Sequence, residues 1–164
     1  MDFTIEAMKP SDWDEVAAIY LDGINTKIAT FQDEVPAWEK WDASHLKVCR
    51  LVARANGRIL GWAVLSPVSS RCVYAGVADV SIYVGTKYKG CGVGTALLNE
   101  LIRQSEKEGF WTLQSGIIRE NTASRALHTK CGFREVGIRE RLGQMDNGKW
   151  HDVVIAERRS KTVG

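Results

Sequence analysis

One predicted strand is joined to one predicted helix by Ile82-Tyr83-Val84-Gly85-Thr86-Lys87-Tyr88-Lys89-Gly90-Cys91-Gly92-Val93-Gly94-Thr95. We predict that the strand ends near Val84 and that the helix begins at Gly92 and ends near Glu108-Gly109, where glycine commonly terminates a helix. Glycines let the backbone approach an anion closely, and the first amides of a helix have no partner within it. The pattern therefore predicts an anion-binding site at the start of this helix.

Hydrophobic periodicity on both sides of this segment predicts an α/β fold. In chain order, the predicted elements are a strand over Phe3–Glu6, a helix through Trp13–Tyr20, a short helix around Trp38–Leu46, strands over Leu51–Ala53, Ile59–Leu65, Val73–Val84 and Trp111–Ile117, a helix over Thr122–Lys130, a strand from Phe133 onwards and a last strand over Trp150–Glu157. Asn56-Gly57 indicates a type I′ hairpin, and Ser11 with Asp14 resembles a capping box. No linker or repeat divides residues 1–164, so we expect one domain with helices on the faces of a mixed sheet.

The composition argues against several classes of protein. The 164 residues are 45% hydrophobic and 26% charged, as in ordinary globular domains, and the net charge of +2 is too small to indicate a nucleic-acid partner. No apolar run is long enough to cross a bilayer, and the residues after Met1 lack a basic-then-apolar pattern, so we expect no secretory leader. The cysteines and histidines lack the spacing of a metal or redox site. We therefore expect a cytoplasmic, metal-free protein with reduced thiols and no membrane partner.

The glycine-rich loop can be compared with three known phosphate loops. No Gly-Lys-Ser/Thr follows it, which excludes a Walker A motif, and the Gly-x-Gly-x-x-Gly of dinucleotide-binding folds is absent. Lys89-x-x-Gly92-x-Gly94 resembles the Gln/Arg-x-x-Gly-x-Gly/Ala loop of the GCN5-related N-acetyltransferases (GNAT), with lysine in place of glutamine or arginine. Taken alone, the loop is better explained as a plain turn, because short Gly-x-Gly segments also occur as turns.

The resemblance extends over essentially the whole chain. Asn121-x-x-Ser124-x-x-Leu127-His128-x-x-x-Gly132-Phe133 is similar to the second half of the family's cofactor site. Ala29-Thr30-Phe31 and the Trp150-His151-Asp152 segment are similar to the phosphinothricin acetyltransferase branch. The resemblance implies the GNAT fold, in which helices flank a mixed, mostly antiparallel sheet. It also implies an N-acetyltransferase that uses acetyl-CoA as cosubstrate.

This resemblance implies a particular pose for the cofactor. The strand before the loop would splay from its neighbour, and pantetheine would pair with backbone groups of Ile82, Tyr83 and Val84. The pyrophosphate would lie on the backbone amides of the loop, beside the Lys89 side chain; these residues are Gly90, Cys91, Gly92, Val93, Gly94 and Thr95. Asn121 and Ser124 would lie along the pantetheine arm. Asn121 is equally explained as a helix cap, and the two roles are compatible.

Two residues are candidates for proton transfer. Asp79 lies in an apolar strand where the branch usually has glutamate, and we expect it to act as the general base, directly or through water. Its alternative role is that of a strand carboxylate paired with a cation. His128 takes a position where many family members have tyrosine, and it would protonate the leaving thiolate or bind the substrate. A half-buried structural histidine is the alternative.

The resemblance also implies a substrate. The acceptor would be a small amino-acid-like amine such as phosphinothricin, methionine sulfone or methionine sulfoximine, contacted by Phe31, Tyr74, Trp150 and His151. For Trp150 alone, core packing is the better interpretation. Arg71 and Arg139 are both able to hold an acceptor carboxylate, and a homodimer is expected. The alternatives are an acetyltransferase for protein or peptide amines and a non-catalytic acyl-CoA-binding module.

Overall fold

Seven strands and four α-helices form the computed structural model, which describes residues 1–164. Their bounds are β1 Thr4–Ala7, α1 Trp13–Asn25, α2 Trp38–Ser44, β2 Leu51–Ala55, β3 Arg58–Pro67, β4 Val77–Val84, α3 Val93–Lys107, β5 Thr112–Ile118, α4 Thr122–Lys130, β6 Arg134–Gln144 and β7 Trp150–Arg159. Short 3-10 turns occupy Pro10–Asp12, Cys72–Tyr74 and Thr86–Tyr88. The predicted α/β class and order of elements are confirmed. None of the helices is both long and apolar enough to span a membrane.

The strands form one sheet in the order β1-β2-β3-β4-β5-β7-β6. Every neighbouring pair is antiparallel except β4 and β5, which are parallel and are connected through α3. These two strands pair only from Val77 opposite Thr112 to Asp79 opposite Gln114. Beyond that point β4 and β5 continue without pairing, and we call the gap between them the fork.

Helices pack on both faces of the sheet. On one face, α3 contributes Leu97, Leu98 and Leu101, all fully buried, to the larger apolar cluster. Truncating one such leucine to alanine typically costs about 2–5 kcal/mol, so α3 is fixed firmly behind β3 and β4. The apolar face of this helix is thus the buried one.

An aromatic cluster lies between the opposite face and helices α1 and α2. Neighbouring ring centroids in it are 4.8 to 5.9 Å apart, and its members are Trp13, Tyr20, Trp38, Trp41, Trp62 and Tyr83. The Trp62 indole donates a hydrogen bond to the carbonyl of Val16 at 3.1 Å, which ties β3 to α1. Tyr83 is the member on β4, and it carries the cluster to the edge of the fork.

The fourth strand is shorter than its apolar pattern suggests. We predicted a strand from Val73, but Cys72–Tyr74 forms a 3-10 turn and β4 begins at Val77. The reason lies in Gly76, because a β-carbon there would come within 2.0 Å of the Trp111 ring. The Gly76 carbonyl also accepts the Trp111 amide at 2.8 Å. This contact between distant segments sets the start of β4.

The two local turn predictions have different outcomes. Asn56 and Gly57 have φ angles of 52° and 75°, which confirms the type I′ hairpin. The prediction that Ser11 and Asp14 form a capping box is wrong. The carboxylate of Asp12 accepts the Lys9 amide at 2.9 Å instead, so the capping contact lies two residues earlier than predicted, on the 3-10 turn that precedes α1.

Candidate active site

The glycine-rich loop borders an open cleft of about 390 Å³, which we call the outer cleft. Its walls come from the end of α1, the end of β4, the loop, the start of α3 and one side of α4. Every residue predicted to hold the cofactor lines it except Cys91, whose side chain is exposed. The fold therefore gathers segments that are distant in the sequence around one elongated site.

Backbone geometry makes the loop suited to an anion. Gly90 and Gly92 have φ angles of 79° and 82°, which side-chain-bearing residues rarely adopt, and no atom lies within 4 Å of where their β-carbons would be. Gly92 is the N-cap of α3, and no side chain caps this helix end. The amides of its first turn are thus available, and the helix dipole favours negative charge there. Lys89 lines the same cleft and forms no ion pair within the protein.

A second cavity of about 310 Å³ lies in the fork, and we call it the fork cavity. Its walls are Val80–Tyr83 of β4, Ser115–Ile118 of β5, and the Ala29–Phe31 segment after α1. Asn121 and Ser124 line both cavities, as do Ile82 and Tyr83, so the two spaces adjoin. No Asp, Glu, Lys or Arg side chain lines the fork cavity.

Asp79 lies where the fork begins. Its Oδ1 atom accepts a hydrogen bond from Gln114 Nε2 at 2.9 Å, across the last paired residues of β4 and β5. Burial raises the pKa of the Asp79 carboxyl, and the hydrogen bond from Gln114 opposes this in part. Asp79 forms no ion pair, so the cation-paired alternative is not what the structure contains. It stands next to Val80, the first fork residue, without lining the cavity itself.

His128 lines the fork cavity from α4 and is only 2% exposed. Its Nδ1 atom lies 2.7 Å from the carbonyl oxygen of Ser124. A carbonyl only accepts, so Nδ1 carries the proton and Nε2 of the neutral ring carries the lone pair. Nε2 has no partner in the protein. Burial lowers the pKa of the imidazole, which favours this neutral form.

Residues 13–133 match the model of the Acetyltransferase (GNAT) family. The chain belongs to the GNAT acetyltransferase family. It is accordingly an enzyme, an acetyl-CoA-dependent N-acetyltransferase. The sequence-based resemblance and the GNAT fold are both confirmed.

Individual GNAT proteins are similar along most of their length. The chain is 31% identical over 162 residues to a phosphinothricin N-acetyltransferase of Alcaligenes faecalis, covering 94% of this chain and 81% of that one. A phosphinothricin acetyltransferase from Sinorhizobium meliloti, solved in complex with AcCoA, superposes with a TM-score of 0.88 at 26% identity, covering 97% and 89%. A ribosomal-protein-alanine N-acetyltransferase from Brucella melitensis gives the same TM-score at 28% identity, covering 96% and 99%.

The four residues expected to contact the acceptor of this GNAT enzyme are placed differently from one another. Phe31 lines the fork cavity. Tyr74 and Trp150 do not; they are 46% and 47% exposed and lie beneath the guanidinium groups of Arg71 and Arg141. The interpretation of Trp150 as a core residue is therefore wrong. Side chains alternate along the strand, so Trp150 points outward and its neighbour His151 points inward.

His151 is 2% exposed and lies just behind the wall of the fork cavity. Its Nδ1 atom is 2.9 Å from Glu120 Oε2, and its ring centroid is 6.4 Å from that of Phe31. Glu120 was not singled out from the sequence, because nothing local indicates that it meets a strand 31 residues away. The fork walls Ser81, Ser115, Leu142 and Val153 were also missed, since only the register of the sheet shows that they share a cavity.

Proposed function

We propose that this acetyltransferase acts on the amine of a small amino-acid-like acceptor, of the phosphinothricin, methionine sulfone or methionine sulfoximine type. One observation carries the proposal: the small, uncharged fork cavity adjoins the outer cleft at Ile82 and Tyr83. An acceptor in the fork cavity and a thioester in the outer cleft would meet at this junction. We further propose that the enzyme is a cytoplasmic homodimer.

The outer cleft would hold acetyl-CoA. The edge of β4 that faces the fork has no strand partner beyond Asp79, so the backbone of Ile82–Val84 is free to pair with the pantetheine arm. Asn121 and Ser124 would contact the same arm from α4. The pyrophosphate would lie on the amides of the loop, with Lys89 as an additional cation. Cys91 would contribute its backbone alone.

Acetyl-CoA supplies the thioester carbonyl carbon, and the protein manages the protons. Asp79 would remove one proton from the acceptor ammonium through a bridging water, because the carboxylate stands one residue outside the cavity lining. The amine nitrogen then bonds to the carbonyl carbon and the carbon–sulfur bond breaks. A backbone amide near Tyr83 or Val84 would stabilise the oxyanion.

His128 would take the second amine proton on Nε2 and return it to the departing sulfur. Because the imidazole is neutral, this role suits it better than the role of an acid that is already protonated before the reaction. A lowered pKa makes the protonated imidazole a ready proton donor to a thiolate, whose conjugate thiol has a pKa of ~8.5. The nitrogen thus loses two protons, one to Asp79 and one to the sulfur.

The fork cavity would take the amine end of the acceptor. Since the lining of this cavity has no Lys or Arg, the acceptor carboxylate would remain outside it, and Arg71 and Arg139 are both candidates to hold it. The absence of acidic walls favours a small acceptor over a peptide. The fold shared with a ribosomal-protein-alanine acetyltransferase keeps a peptide as the second candidate.

The test is a measurement of thiol release from acetyl-CoA. The purified enzyme would be assayed with phosphinothricin, methionine sulfone, methionine sulfoximine and a short peptide with N-terminal alanine. We expect turnover above background with at least one of the three amino-acid analogues and not with the peptide. Background rates with all three would reject the small-acceptor proposal, and turnover of the peptide alone would replace it.

A further inference from the structure

We propose that Glu120 and His151 are a positioning pair that ties the fork cavity to the outer cleft. The imidazole would support the cavity wall on one side and hold the turn before α4 on the other. Neither residue would touch a substrate. The second half of this inference rests on the proposed contact between Asn121 and the cofactor.

The pair itself is well defined. His151 Nδ1 lies 2.9 Å from Glu120 Oε2, and because a carboxylate only accepts, the imidazole donates. The His151 side chain is 2% exposed, whereas that of Glu120 is 50% exposed. The hydrogen bond from His151 lowers the pKa of the Glu120 carboxyl. His151 Nε2 is buried without a partner, so the bond to Glu120 is the one polar contact of this ring.

Glu120 connects the pair to the cofactor side. It directly precedes Asn121, whose Oδ1 atom accepts the Ser124 amide at 3.2 Å and so caps α4. Asn121 lines both cavities. Its own amide is held by the Ile118 carbonyl at 2.8 Å, so the turn is tight. A displacement of Glu120 would therefore move Asn121 and the start of α4 together.

Phe31 connects the pair to the acceptor side. His151 lies opposite Gly143 in the β6–β7 ladder. The Phe31 ring packs over this position, since a β-carbon at Gly143 would come within 2.8 Å of it. The ring centroids of Phe31 and His151 are 6.4 Å apart. The imidazole thus lies behind an aromatic wall of the fork cavity.

A neighbouring contact offers a matched control. Asp152 follows His151 on β7, points to the opposite face, and its Oδ2 atom accepts a hydrogen bond from Arg119 Nη1 at 3.0 Å. It therefore holds the turn before α4 through Arg119, and it lines neither cavity. The Arg119 side chain is 52% exposed, and such surface ion pairs contribute little.

Two substitutions separate the two contacts of the imidazole. His151→Phe keeps a ring against Phe31 and loses the donor to Glu120. It should raise the dissociation constant for CoA by about tenfold, as expected for one charge-assisted hydrogen bond. His151→Asn keeps a donor near the position of Nδ1 and loses the ring. It should leave CoA affinity within about twofold and raise the acceptor KM about fivefold.

The experiment uses isothermal titration of CoA with the full chain, together with kcat and KM where an acceptor is known. The matched control Asp152→Asn should bind CoA like the wild type. Equal CoA affinity of His151→Phe and wild type, or an equal loss in Asp152→Asn, would overturn the positioning role. Adding Glu120→Ala to His151→Phe should cause no further loss; an additive loss would overturn it too.

A separate variant tests the assumption about Asn121. Asn121→Asp keeps the oxygen that caps α4 and replaces the amide by a charge, so it should weaken CoA binding. If it does not, the proposed cofactor contact of Asn121 is wrong whatever the result for His151. Because CoA binding needs no acceptor, failure of the acceptor screen leaves this test intact.

Discussion

At the scale of single residues, the candidate site depends on where a side chain lies in the fork. Asp79 stands at the last paired position of β4 and β5, half-buried and held by Gln114. One residue further along, the β4 backbone has lost its strand partner. The same carboxyl is therefore anchored by the sheet and stands one residue from the gap.

Replacing Asp79 by asparagine tests its role as base. The variant should lower kcat about 100-fold or more, because general base catalysis contributes at least this much. Since burial raises the Asp79 pKa, the wild-type rate should fall on the acid side above the usual aspartate range. The pH–rate profile of the variant should lack this limb. An unchanged rate and limb would remove Asp79 as the base.

The same shift has a consequence for stability. The folded-state pKa of Asp79 is raised, so its contribution to stability is present below the unfolded-state pKa and is lost as the pH rises through the folded value. Asp79→Asn removes the buried charge and retains an acceptor for Gln114. The variant should therefore be at least as stable as the wild type at pH 7, which urea titration would check. This distinguishes lost chemistry from lost folding.

Lys89 is the one departure from the usual phosphate loop. Lys89→Ala should raise the acetyl-CoA KM only about threefold, because one exposed charge contributes little beside the backbone amides. The difference should shrink further at high salt, since ions screen exposed charges. Steady-state kinetics at low and high ionic strength would measure it. A rise of about 50-fold would mean that the side chain, and not the backbone, dominates phosphate binding.

At the scale of elements, the sequence predicted what depends on neighbours in the chain. The glycine-rich loop, the amphipathic helix behind it and the Asn56-Gly57 hairpin follow from local periodicity and turn chemistry. The start of β4 does not follow from local pattern, because it is set by the packing of Trp111 on Gly76. Likewise, the neutral tautomer of His128 required the position of the Ser124 carbonyl.

Gly76 gives a test at this scale. Gly76→Ala places a β-carbon within 2.0 Å of the Trp111 ring, so the indole or the strand must shift. Overpacking of this kind typically costs about 1–3 kcal/mol. Gly137→Ala is the matched control, because no atom lies within 4 Å of its β-carbon position. Urea denaturation midpoints should fall for the first variant only; equal midpoints for both would contradict the packing argument.

At the scale of the whole molecule, the sheet ends in a long exposed strand. β6 is an edge of the sheet and all but one of its residues are exposed, among them Val136, Ile138 and Leu142, at 42%, 50% and 43%. Exposed edge strands with apolar side chains are sites of pairing between chains. Leu142 also lines the fork cavity, so a partner on this strand would lie beside the acceptor site.

The proposed homodimer can be tested on this edge. Ile138→Glu should convert the dimer to a monomer, because a buried interface does not accept an unpaired carboxylate. Val73→Glu is the control, since Val73 is 65% exposed and lies on the β3–β4 connection, outside β6. Size-exclusion chromatography with light scattering would measure both. A monomeric wild type, or equal dissociation of the control, would contradict a dimer through β6.

The aromatic cluster provides an intrinsic fluorescence signal for occupancy of the site. Trp62 stacks on Tyr83 with centroids 4.8 Å apart, and Tyr83 lines both cavities. Cofactor or acceptor placed against the phenol would change the surroundings of the indole behind it, and with them the intrinsic emission of the protein. Trp150, 47% exposed and outside the cluster, contributes mainly background that Trp150→Phe would remove. Occupancy of the site would then be visible without any label.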